Sequence, residues 1–164
     1  MTAAQGLEEK LGPVLFQFPR QWRANLDRLD GFLPLLERYR TTRFAFEFRH
    51  DSWLTPAVYQ RLERAGCALC LPVGWGIPLD VRLTAPWTYI RMHGGESSNA
   101  FGDDELQRWA GRIASYLDEG RDVYVYFNND PFGDAIRDAD RLRSLLRDRT
   151  DQGLGNSAAM ATAR

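Results

Sequence analysis

Apolar and polar residues alternate with a period of two in several short stretches, and recur at three and four between them. The clearest alternation is Arg43 to Trp53, RFAFEFRHDSW, where Phe44, Phe46 and Phe48 interleave with Ala45, Glu47 and Arg49. A period of two marks a strand with two different faces, here one aromatic and one ending in charges. Val14 to Phe18, VLFQF, is an apolar run bounded by prolines, a buried strand with Gln17 as its odd member. Ala68 to Val73 reads as a third strand and Trp87 to His93 as a fourth, with Tyr89, Arg91 and His93 on one face. Val123 to Asp130 is the fifth, with Tyr124, Tyr126, Asn128 and Asp130 sharing a face.

The helical period falls between these strands. Leu26, Leu29, Phe32, Leu33 and Leu36 predict a helix from about Asn25 to Tyr39, kinked or restarted at Pro34. Asp51-Ser52 and Thr55-Pro56 supply cap signals for a helix carrying Val58, Leu62 and Ala65 inward, closed by Gly66. Asp103 or Asp104 is expected to cap a helix with Leu106, Trp109, Ala110, Ile113 and Leu117 inward, ended by Gly120. The last helix is expected over Ala135 to Arg147, with Ile136, Ala139, Leu142, Leu145 and Leu146 as its apolar set. Residues 1 to 13 read as a short amphipathic stretch, Gly74 to Pro86 as a long connection, and Thr150 to Arg164 as a flexible tail behind a domain over 1–149.

Strand and helix in alternation with short connections predict an α/β fold with a parallel sheet. No GxGxxG or GxxxxGK follows any strand, so neither a dinucleotide site nor a phosphate loop is supported, and no cofactor is expected. Charge changes the picture by exclusion: 21 Lys and Arg against 22 Asp and Glu leave no basic excess to draw a nucleic acid or an anionic membrane. No apolar run reaches the roughly 20 residues of a membrane span, and the polar start lacks a signal-peptide core, so a cytoplasmic protein is expected. Cys67 and Cys70 have CxxC spacing, but a zinc site needs a second pair and a redox pair needs a helix start; CALCLPV reads as a strand with two small buried residues.

Candidate chemistry gathers at strand ends. Gln17, Glu47 with Arg49 and His50, Arg91 with His93, and Asn128 with Asn129 and Asp130 all fall in the last residues of their strands. In parallel α/β folds ligands bind outside those carboxyl ends. Arg49 and Arg91 suit a carboxylate or phosphate, His93 and Glu47 are the candidate acid or base groups, and Gln17, His50, Asn128 and Asn129 are hydrogen-bonding partners. The competing reading is structural: Glu47 pairs with Arg49 or Arg91 and holds the strands in register. A metal trio of Glu47, His93 and Asp130 is the less favoured arrangement, since two histidines bring few carboxylates at ligand spacing. Trp53, Trp75, Trp87 and Trp109 are expected to pack in the core or at its rim.

LGPVLFQFP from Leu11, FAFEFRHDSW from Phe44, YIRMHG from Tyr89 and DVYVYFNND from Asp122, followed by Ala135 and Leu142, together resemble the domain of unknown function 72 family, the YecE-like proteins. The resemblance covers nearly all of residues 7 to 147 and carries over Gln17, Glu47, Arg49, His50, Trp53, Arg91, His93, Gly94, Asn128 and Asn129. It implies a TIM (β/α)8 barrel, here about five βα units lacking the first three, and it implies no reaction. Arg20 stands where the family has a second proline, Pro72-Val73 where an acidic residue is frequent, and Asp138 where asparagine is common. Five strands cannot close such a barrel, so open edges and self-association are expected. The functional alternatives are a non-catalytic fragment whose polar network is structural and, by analogy of fold alone, a metal-dependent hydrolase or isomerase.

Overall fold

The computed structural model describes residues 6–7, 10–39 and 41–161, with side chains as far as residue 149. Most of the amphipathic stretch expected over residues 1 to 13, and the side chains of the expected flexible tail, lie outside the described residues. The elements are β1 (Val14–Phe18), α1 (Leu26–Phe32), β2 (Phe44–Phe48), α2 (Pro56–Arg64), β3 (Ala68–Val73), β4 (Trp87–Met92), α3 (Asp103–Asp118), β5 (Asp122–Phe127) and α4 (Asp134–Ala161). The strands make one sheet in the order β1-β2-β3-β4-β5. β1 runs parallel to β2, and β2 parallel to β3. The chain's contacts gather in two compact units, one of Met1–Pro72 with Gly76–Ile90, the other of Val73–Trp75 with Arg91–Arg164. Among the described residues no helix is long and apolar enough to cross a membrane.

In the first unit the phenylalanines of β2 all turn inward with β1 and the helices. Phe16 meets Phe32 of α1 edge-on at 5.0 Å, and Phe48 stacks on Trp53 at 4.6 Å. Such aromatic pairs add about 0.5–1.5 kcal/mol to the area they bury. Leu29, Leu33, Leu36, Val58 and Leu62 complete this core. Pro34 does act on its helix: the α-helix stops at Phe32 and Leu33–Tyr39 continues as a 3-10 helix. Asn25 caps the start, its side chain accepting from the Arg28 amide. Thr55 caps α2 in the same way, with Pro56 in the first turn.

The long connection of residues 74 to 86 is tied down by side chains. Tyr59 donates to Asp80 at 2.5 Å, and the Arg82 guanidinium lies over the Tyr59 ring. Burial, then the Asp80 carboxylate, pushes the Tyr59 hydroxyl well above its usual range. Thr84 replaces a strand partner: its hydroxyl donates to the Cys67 carbonyl and accepts from the Leu69 amide, both at 2.7 Å. Both cysteines are buried as expected and neither is in a disulfide, Cys67 just before β3 and Cys70 on it, and burial raises the Cys67 thiol to about 11.

In the second unit three expectations are corrected. The cap of α3 is Gly102, neither Asp103 nor Asp104; lacking a side chain there, the helix uses Glu105, whose carboxylate accepts from the Gly102 and Glu96 amides at 2.7 Å each. On the same helix Leu106, Ala110 and Ile113 are buried as expected, but Tyr116 takes the inward place and Leu117 is half exposed. The last helix runs past Arg147 to Ala161, and Ile136, assigned to its apolar set, is 73% exposed.

Candidate functional site

The strand ends present two groups of side chains, one in each unit. In the first, the register sets Gln17 of β1 opposite Glu47 of β2, so both side chains leave the same face of the sheet. Ala45 and Phe46 pair with Ala68 and Leu69, which brings Cys70 beside Glu47; its sulfur lies 3.9 Å from the carboxylate. Glu47 is fully buried, and Arg49, two residues along the same strand, donates to it through Nε at 2.6 Å. A carboxylate without solvent is tolerable only when paired, and the guanidinium supplies that pairing. Gln17, by contrast, is exposed. His50 serves the backbone here: its Nδ1 accepts from the Ser52 amide at 3.1 Å and caps the short turn of Asp51–Trp53.

In the second group, main-chain bonds align the carboxyl ends of three strands. The His93 amide donates to the Val73 carbonyl at 2.7 Å, and the Asn128 amide to the Met92 carbonyl at 2.8 Å. Arg91, at the end of β4, donates through Nε to the Asn128 side-chain oxygen at 2.9 Å. The arginine is partly exposed and Asn128 is exposed, so the pair is in reach of solvent. His93 follows just past the end of β4, partly buried. It is packed against the chain at Gly74, where a Cβ would stand 2.9 Å from the His93 Cβ. Gly74→Ala should therefore lower stability by about 2 kcal/mol through overpacking. An unchanged urea midpoint would mean that His93 is free to move aside.

β5 ends at Phe127, three residues earlier than read from its alternation, because the next residues turn into a hydrogen-bonded knot. Asn129 is fully buried; its amide nitrogen donates to the Asn99 carbonyl at 2.9 Å and to Asp138 at 2.8 Å, while its Oδ1 has no partner among the described residues. Asn99 returns the contact, donating to the Asn129 carbonyl at 3.0 Å and to Asp134 at 2.8 Å. Asp138, 1% exposed, also accepts from the Phe101 amide at 2.9 Å and from Arg141 at 2.7 Å. Asn129 thus anchors the turn rather than lining an open surface. Asn99, Asp134 and Arg141 were not singled out from the sequence; they sit in loop and helix, and their partners lie about 30 to 40 residues away.

The Asp134 carboxyl is held below its ordinary 3.8, first by the Asn99 amide, against burial, and further by Arg137. A depressed carboxyl stabilises the fold above its unfolded pKa and loses that contribution as pH falls through the folded value. Asn99→Ala should accordingly flatten the loss of stability below about pH 4. Urea midpoints across that range would show it, and an unaltered acid slope would contradict it.

Two further residues stand out by exposure. Trp75 is 87% exposed, not packed at a rim as its type suggests, and Phe132 is 89% exposed. Trp53 and Trp87 are buried as expected, and Trp109 is partly buried. Among the described residues no three His, Cys, Asp or Glu gather as metal ligands, so Glu47, His93 and Asp130 form no such group.

A parallel α/β sheet whose strands end in paired polar side chains defines the class of protein. The sequence matches, over residues 1–162, the family described as protein of unknown function DUF72, and the chain belongs to that family. It is 25% identical to the UPF0759 protein YunF of Bacillus subtilis over 164 aligned positions, covering 84% of this chain and 58% of that protein. A DUF72 family protein of Enterococcus faecalis superposes with a TM-score of 0.71 at 20% identity, over 85% of this chain and 62% of the other. Another, of Thermotoga maritima, gives 0.68 at 22% identity, over 89% and 64%. These likenesses show a shared fold. The chain spans about three fifths of the length of the relatives it matches.

Proposed function

We propose that this chain carries a binding site for a small polar or anionic molecule, bearing a carboxylate or phosphate, at the carboxyl ends of its strands. The observation that carries the reading is the Arg91–Asn128 pair: a guanidinium held through Nε at 2.9 Å, in reach of solvent, at the aligned ends of β4 and β5. An arginine fixed in this way meets an anion without first losing side-chain freedom, which favours binding. His93, just past the end of β4, adds an imidazole to the same strand end. The reading is supported by five strands in one sheet with helices after all but β3, an arrangement compatible with part of a TIM (β/α)8 barrel, a fold that binds its ligands at this end of its strands.

The experiment is thermal unfolding with inorganic phosphate and with acetate at millimolar concentration. Phosphate should raise the melting temperature of the wild-type chain by a few degrees, since a ligand that binds only the folded state stabilises it by mass action. Arg91→Met should abolish the rise. No stabilisation by either anion would refute the reading.

For Glu47 a second reading is favoured by a specific observation. The carboxylate is fully buried, and the arginine that engages it is two residues away on the same strand. We infer that Glu47 and Arg49 form a structural pair that orients the end of β2, with Gln17 beside it. β1, α1 and Trp53 line an apolar groove of about 730 Å³ that includes Phe16, Phe18, Trp22, Leu29 and Phe32. β1 is an end strand of the sheet, and we infer that its outer edge pairs with a strand of a second copy; sedimentation as a monomer at all concentrations would rule that out.

A further inference from the structure

The groove of about 730 Å³ in the first unit is walled by aromatic rings in contact with one another. Phe18 meets Trp53 at 5.1 Å and Trp22 at 6.1 Å, both edge-on, and Phe16 meets Phe32 edge-on at 5.0 Å. Its volume falls within the roughly 300–1,000 Å³ of sites that take small molecules. Hydrogen bonds fix the wall that follows β1. Trp53 Nε1 donates to the Trp22 carbonyl at 2.8 Å, the Ala24 amide to the Ser52 hydroxyl at 2.8 Å, and the Arg28 amide to the Asn25 side chain at 2.9 Å. A groove held open in this way asks little ordering of itself when a ligand enters. Trp22 is nevertheless 55% exposed, an apolar surface that an occupant would take from water.

The charged part of the lining has one sign. Arg23 and Arg28 line the groove, and no Asp or Glu does. Other arginines of the same unit have carboxylate partners: Arg49 has Glu47, Arg61 has Asp30 and Arg82 has Glu63. Among the described residues the guanidiniums of Arg23 and Arg28 have no such partner. A solitary exposed arginine is ordinary; two on one aromatic groove are a charge that its occupant can complement. A neutral apolar occupant would strip water from them and return nothing, and a cation would be repelled. An inorganic anion would meet the arginines and leave the rings uncovered. An apolar body carrying a carboxylate answers both parts of the lining.

We propose that this groove binds an amphipathic organic acid, its apolar body between the aromatic walls and its carboxylate at Arg23 and Arg28. All of the lining residues belong to the first unit. The site does not rest on the anion reading at Arg91, which lies in the second.

The test titrates the full 164-residue chain with 1-naphthoate and with decanoate, each beside its neutral alcohol, and with acetate as the head group alone. Trp22 and Trp53 line the groove, so tryptophan emission reports entry, and thermal shift reports affinity for the folded state. At least one of the two acids should bind about tenfold tighter than its alcohol, the worth of a hydrogen bond to a charged group, and acetate should not register. Which acid binds separates a ring system from an acyl chain. Arg23→Gln with Arg28→Gln should erase the preference for acid over alcohol and leave the melting temperature of the unliganded protein unchanged. Trp22→Ala keeps the main-chain carbonyl that Trp53 bonds, and should weaken acid and alcohol alike. Arg91→Met should leave acid binding intact.

Equal affinity for acid and alcohol in the wild type, or no binding of either, would overturn the proposal. So would loss of acid binding in Arg91→Met, which would move the ligand to the other site. If sedimentation shows a dimer at every concentration and the acids do not enter, a second copy fills the groove and the proposal falls.

Discussion

Asp138→Ala is expected to destabilise the chain by about 4 kcal/mol, the larger of the two effects that the polar networks imply. Its carboxylate accepts from the Phe101 amide, the Asn129 side chain and Arg141, and the residue is 1% exposed. Removing it strands two buried donors and an arginine at once, and each unsatisfied neutral donor costs about 1–3 kcal/mol. Arg141 is less affected, because it also bonds the Phe101 carbonyl at 2.8 Å and pairs with Asp103. Asp138→Asn should cost only about 1–2 kcal/mol, since one amide oxygen still serves the two Oδ2 donors while the charged bond to Arg141 is lost. Urea unfolding of the pair of variants decides the matter. A loss under about 1 kcal/mol for the alanine variant would mean that water takes over the carboxylate's role.

The second large effect is at the end of β2. Arg49→Met should destabilise by roughly 3 kcal/mol, because Glu47 keeps its burial while losing the guanidinium at 2.6 Å. For a chain of this size that corresponds to a melting temperature lower by about 6–12 °C. Converting both residues, Glu47→Gln with Arg49→Met, should recover most of the loss, since a neutral amide tolerates that position better than a buried carboxylate that has lost its guanidinium. The double-mutant cycle is the measurement that matters: coupling of more than about 1 kcal/mol marks a working pair. If Arg49→Met melts with the wild type, the carboxylate is neutralised by other means and the structural reading of Glu47 is wrong.

The alternation in FAFEF was enough to place β2 and to assign its aromatic face to the core. It placed charges at the end of the other face without giving their depth: that face is equally buried, with the Cys70 sulfur against Glu47. Pro34 was legible for a simple reason: a missing amide and a ring clash change a helix whatever surrounds it. The cap of α3 was not, because Gly102, Asp103 and Asp104 are three adjacent candidates and the choice depends on Glu105 reaching back. Polar residues at strand ends were visible as a set. Their division was not, since whether Asn128 meets Arg91 while Asn129 turns into the Asn99 network depends on contacts 30 and 37 residues distant in sequence. The exposure of Trp75 was misjudged on the same ground: residue type favours burial, and only the path of the turn after Gly74 overrides it.

The Thr84 hydroxyl bound to the Leu69 amide has a consequence for how the first unit breathes. That amide is shielded by a side chain on the long connection and not by a neighbouring strand. Its hydrogen exchange should therefore follow detachment of the connection, a local opening, while the amides of β2 wait for a larger unfolding event. Leu69 is in effect a built-in reporter, able to distinguish a loosened loop from a melting sheet within one molecule.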